Sequence, residues 1–100
     1  MAIGTDIHRD EQALRLRDQG RPFGGVAQIL DLANAAAAHA SFNRALRRQP
    51  RAEQVRLRDR EMERLDALAS RLLARDDLSV EEIVRRLRGV KHQRKTLLVA

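Results

Sequence analysis

The sequence predicts an all-α protein, a three-helix helix-turn-helix domain followed by a C-terminal helical hairpin. Three observations carry that expectation. Apolar residues recur every three or four positions, and no segment alternates as a strand would. Residues that start and stop helices punctuate the chain at helical lengths. Pro50 lies between two long helical patterns and sets a boundary, giving a helix-turn-helix domain at 1–49 and a hairpin arm at 50–100.

The first helix is expected from about Ile7 to Gln19, with Ile7, Leu14 and Leu16 as its apolar positions. Thr5 or Asp6 stands where an N-cap belongs, and Gly20 where a left-handed C-terminal residue is wanted. Pro22 suits the opening turn of a short second helix, whose buried face is read as Val26, Ala27, Ile29 and Leu30. Asp31-Leu32-Ala33 makes a tight turn. Asn34 then caps a third helix from about Ala35 to Arg48. On a 100° wheel, Ala35, Ala38, Phe42 and Leu46 share its inner side, and Ser41 lies at a margin.

Beyond Pro50, one long helix is expected from Ala52 to about Arg75, broken by Asp76-Asp77. Val55, Met62 and Ala69 fall on one heptad position, Leu65 and Leu72 on the other. Ser79 and Glu82 form a capping box at the start of the last helix, with Leu78 and Ile83 as its hydrophobic staple. Ile83, Leu87, Val90, Leu97 and Leu98 give that helix an apolar stripe. The stripe formed by Val55, Met62, Leu65, Leu72, Ile83, Leu87 and Val90 is expected to join two copies, as a homodimer or a higher homo-oligomer.

The composition bounds the function. Of 100 residues, 43% are hydrophobic but only 2% aromatic, so Phe23 and Phe42 are the sole large plates in an aliphatic core. The net charge of +6 favours a polyanionic partner, because cations that neutralise phosphates release condensed counterions. Without cysteine there is no disulfide or thiolate chemistry. His8, His39 and His92 stand apart without partners at ligand spacing, so no metal and no cofactor are expected. No serine has a plausible base, and the carboxylates are expected on exposed faces among arginines, which argues against an enzyme. The N-terminus lacks a signal peptide's pattern, and no run approaches the ~20 apolar residues a bilayer requires. A cytoplasmic, nucleoid-associated protein without membrane contact is the expectation.

The outward side of the third helix carries the candidate site: Asn34, Ala36, Ala37, Ala40, Asn43, Arg44, Arg47 and Arg48. Its first turns offer alanine methyls, which meet a thymine methyl but report no donors or acceptors. Its last turns offer guanidinium groups suited to phosphates, which fix position rather than sequence. Double-stranded DNA, held with modest selectivity, is the expected partner. On the last helix, Arg85, Arg86, Arg88, Lys91, Arg94 and Lys95 form the most basic segment. That segment is read as a second phosphate surface, a dock for an acidic protein such as RNA polymerase, or a solvated face. In the last case Glu53, Asp59, Glu61 and Glu63 on the neighbouring helix would partly neutralise it.

The stretch from Ala13 to Leu30 resembles the homeodomain-like helix-turn-helix of sigma-factor region 4 and of actinobacterial phage-type terminase small subunits. Gly20, Phe23, Val26-Ala27 and Leu30 carry the likeness, and Ala33-Asn34, Ala37-Ala38 and Arg44-Ala45-Leu46 extend it. Glu61, Arg64-Leu65-Asp66 and Leu68 are similar to the terminase-type long helix. Asp31 departs from the usual turn glycine, and the alanines depart from the usual polar reading residues. The resemblance implies a DNA-binding head on a helical assembly arm. Three readings follow: a transcriptional regulator or chromosome-associated protein, a terminase small subunit that recognises DNA for packaging, or a module that binds RNA polymerase or a sigma factor.

Overall fold

In a computed structural model the chain is all-helical, and the structure describes the backbone of residues 2–99 and the side-chain surroundings of residues 6–97. Five helices follow one another: α1 (Ala2–Asp18), α2 (Phe23–Ile29), α3 (Ala35–Arg47), α4 (Arg51–Ala74) and α5 (Val80–Val99). The chain forms two compact units, Met1–Gln54 and Val55–Ala100. The division falls one helical turn beyond Pro50, because the first turn of α4 is tied back to α3. The Gln54 side-chain amide donates to the carbonyls of Arg47 and Gln49.

In the first unit, α1 and α2 both pack on α3. Helix α1 starts earlier than the sequence suggests, so Thr5 and Asp6 lie within its span and not at the position before its first turn. No residue between Ala2 and Ile7 forbids a helix; Gly4 costs only about 1 kcal/mol. The helix ends as expected. Gly20 has φ +100, and Arg21 N–H donates to the Leu16 carbonyl while Gly20 N–H donates to that of Arg17. These paired bonds close the helix in a Schellman motif.

The same motif ends α2, this time on a non-glycine residue. Asp31 has φ +55, with Leu32 N–H donating to the Ala27 carbonyl and Asp31 N–H to that of Gln28. A left-handed residue with a Cβ is disfavoured, less for aspartate than for most. Asp31→Gly should therefore raise stability by about 0.5–1 kcal/mol, read as a higher urea midpoint at unchanged slope. A midpoint that stays or falls would contradict this.

Helix α2 buries Phe23, Val26 and Ala27, while Ile29 is 52% exposed. Ile29 does not join the buried face because it lies on the other side from the 23, 26, 27 spacing. Helix α3 buries Ala38, Ser41, Phe42, Asn43, Ala45 and Leu46. That arc is wider than one amphipathic stripe because α1 and α2 both cover it. Ala35, at the open first turn, is exposed rather than inward. Phe23 is the hub of this core. Its ring meets Phe42 edge-on with centroids 5.6 Å apart, stacks tilted on His39 at 4.6 Å, and lies 4.1 Å beneath the Arg17 guanidinium carbon.

In the second unit, α4 buries Leu57, Glu61, Leu65 and Leu72, and α5 buries Val90 and Leu97. Leu98 lies outside the described side chains. Ser79 caps α5 by accepting from Glu82 N–H at 3.1 Å. The Glu82 carboxylate takes Arg86 and Arg85 instead of returning to the cap. Between α4 and α5, Arg75 grips Asp77 through two bonds, and this hydrogen bonding holds the Asp77 carboxyl down to about 2. Arg94 crosses between these helices to pair with Asp66. Glu61 is enclosed and bound by Arg64 of its own helix at 2.6 Å. The expectation that every carboxylate is exposed therefore fails at Glu61, and more consequentially at Asp10.

Candidate nucleic-acid interface

Helix α3 is fixed at its start by a local signal. The Asn34 side chain accepts from Ala37 N–H at 2.9 Å, with the Asn34 backbone extended, and so satisfies one of the donors left bare at a helix N-terminus. From there Ala36 and Ala40 are exposed and Ala37 is half-buried. These small side chains leave the first two turns without any long projecting group.

The last turns are organised by a residue the sequence reading did not single out. Asp10 of α1 is 1% exposed, yet it remains an anion surrounded by donors. Ser41 Oγ donates to Oδ1 at 2.5 Å. Arg44 donates Nε to Oδ2 and Nη2 to Oδ1, both at 3.0 Å, a two-pronged grip that matches guanidinium to carboxylate. Arg48 adds Nη1 to Oδ2 at 3.0 Å. Burial alone would raise the Asp10 carboxyl, but the bonds from Arg44, Ser41 and Arg48 outweigh it and hold the group below its ordinary 3.8. In return, the bond to Asp10 makes the Arg44 guanidinium a weaker acid than usual.

The spacing of α1 contains the missed signal. Asp10, Ala13 and Leu14 stand at i, i+3 and i+4, so the acid shares the apolar side of its helix. Ser41 likewise sits between Ala38 and Ala45 on the inner arc of α3 rather than at a margin.

No family model, curated protein or solved structure matches this chain. The arrangement therefore stands on its own chemistry. Arg44 and Arg48 keep 48% and 40% of their side chains in solvent, so each guanidinium is held from behind and open in front. Arg47 is exposed and has no ion-pair partner among the described residues. Together the three present a cationic end to α3 that one carboxylate only partly neutralises.

Asn43 does not belong to that surface. It is 7% exposed, and its Oδ1 atom meets no donor among the described residues, so it faces the core and not a ligand. Of the candidate outward residues, Asn34, Ala36, Ala40, Arg44, Arg47 and Arg48 are exposed, and Asn34 already spends its oxygen on the cap.

The residues expected to join two copies are divided. Leu65, Leu72 and Val90 are buried within the single chain. Met62, Ile83 and Leu87 are half-buried, and Val55 is 50% exposed. The large apolar residues left exposed on α4 are Val55, Leu68 and Leu73, with Met62 and Ala69 half-buried. Among the described residues no helix is long and apolar enough to cross a membrane.

Proposed function

We propose that the protein binds duplex DNA without catalysing a reaction, in a regulatory or chromosome-associated role. In this reading α2, the Leu30–Asn34 turn and α3 form a helix-turn-helix, and α3 meets the duplex. The observation that carries it is the triplet Arg44, Arg47 and Arg48 at the end of α3, two of them pre-set on the buried Asp10. A guanidinium already held in one geometry loses less side-chain freedom when it meets a phosphate. Arg44 retains its Nη1 group, and Arg48 its Nε and Nη2 groups, for that contact.

Such contacts position a protein on DNA without reading sequence. The exposed alanines admit a close approach but discriminate little. Selectivity between a preferred and a random duplex is accordingly below about 10⁴-fold, short of the upper range of operator binders.

The test is a binding series across salt. Arg47→Gln removes the member of the triplet that has no ion-pair partner among the described residues, so the slope of log K against log salt should become shallower by about one, with helicity unchanged. An unchanged slope and affinity would refute the reading.

A further inference from the structure

We infer that α5 carries a second phosphate-binding strip, separate from α3, formed by Arg88, Lys91 and Lys95 with His92 and Arg85 alongside. The inference rests on duplex DNA being the partner. It goes further by assigning a surface in the second unit.

Helix periodicity places these residues on one side. Positions 85, 88, 92 and 95 recur at steps of three and four, with 91 adjoining, and all five side chains are exposed. The row extends for about 15 Å at 1.5 Å per residue. Over that length each strand of B-DNA carries about four phosphates.

The charge on this side is largely uncompensated. Arg85 is held by Glu82, and Arg94, off the row, is held by Asp66. Among the described residues no carboxylate pairs with Arg88, Lys91 or Lys95. Of the carboxylates expected to neutralise the strip, Glu61 is buried on Arg64 and none of the others forms an ion pair with Arg88, Lys91 or Lys95 among the described residues. The exposed Glu81, one turn before Arg85 on the same row, does not pair with them either.

Nucleic acid fits this strip better than a lipid surface. A membrane-bound amphipathic helix offers an apolar side for insertion opposite or beside its cations. On α5 the main apolar residues of the other side, Val90 and Leu97, are already buried. Val80 and Val84 stay exposed near the start of the helix but give no continuous apolar side. Beyond them the strip is a row of two ammonium groups, an imidazole and the guanidiniums of Arg85 and Arg88, suited to a phosphate backbone.

The experiment compares four full-length proteins on a labelled random-sequence duplex from about 50 to 200 mM salt. They are wild type, Arg47→Gln, the triple variant Arg88→Gln/Lys91→Gln/Lys95→Gln, and a charge-matched control, Arg9→Gln/Arg15→Gln/Arg71→Gln. All substituted positions are exposed, and circular dichroism checks that helicity is retained. The triple variant should flatten the salt slope by two to three units and weaken binding on the order of 100-fold at the lowest salt, the control far less.

If the triple variant binds as wild type while Arg47→Gln weakens binding, the strip is refuted and the α3 reading stands. If the reverse holds, the strip is supported and the α3 reading falls. Equal losses in the triple variant and the control would overturn a localised strip. Wild type that binds phosphatidylserine vesicles but no duplex, or neither, would overturn the inference as well.

Discussion

Phe42→Ala is expected to unfold much of the first unit at room temperature. Phe42 is fully buried, packs edge-on against Phe23, and lies on α3, the helix that both α1 and α2 use as their base. Deleting a buried phenyl ring costs about 3–5 kcal/mol in lost transfer energy and residual cavity. A unit of this length is stabilised by roughly 3–8 kcal/mol in all. The neighbouring Phe23 ring is itself held against His39 and Arg17, so it is not free to fill the space. Circular dichroism should show a large loss of helicity, and backbone amides of α1–α3 should lose most of their exchange protection. Phe42→Leu, which refills much of the volume, should remain folded with a loss of about 1–1.5 kcal/mol. A Phe42→Ala protein that melts within a few degrees of wild type would show that this core is not organised as described.

The second large effect is expected at Asp10. Asp10→Ala removes the acceptor of four hydrogen bonds, strands the Ser41 hydroxyl inside, and releases Arg44 and Arg48. Breaking a fully buried ion pair costs about 3–5 kcal/mol, but both guanidiniums are nearly half in water here, so about 2–3 kcal/mol is the better expectation. That corresponds to a fall in melting temperature of roughly 10–20 °C.

The same carboxylate gives a pH signature with a definite sign. Its folded-state value lies below the ordinary 3.8, so its ionised form stabilises the fold above that value. The contribution is lost as pH falls below about 4 and through the lowered folded value. The Asp10→Ala protein should lack this part of the acid dependence, and the two melting curves should converge at low pH. Parallel curves down to the acid limit would exclude Asp10 as the source.

The contrast between Asn34 and Asp10 shows what the sequence made legible. Asn34, Ser79 and Gly20 act on backbone groups within a few residues, so their identity and position announced the caps they make. Asp10 acts on side chains more than thirty residues away, and the one local sign of its burial is that it shares the apolar side of α1 with Ala13 and Leu14. Asn43 and Ile29 depart from the faces their spacing suggests for a related reason. Which flank of a helix is covered depends on where its neighbours sit: α3 is covered by both α1 and α2, and α2 is covered on the Phe23, Val26 and Ala27 face, which leaves Ile29 out. The helical period alone marks the arginines at the end of α3 as exposed, but it says nothing of the hidden acid that fixes two of them.

Asp10 and its partners at separations of 31, 34 and 38 residues also form a linked inheritance. A descendant that loses the aspartate leaves two cations crowded at one spot, and one that loses Arg44 leaves an enclosed anion half satisfied. Drift at these positions should thus proceed in concert, making the joint presence of Asp, Ser, Arg and Arg at those intervals a more durable mark of kinship than overall identity.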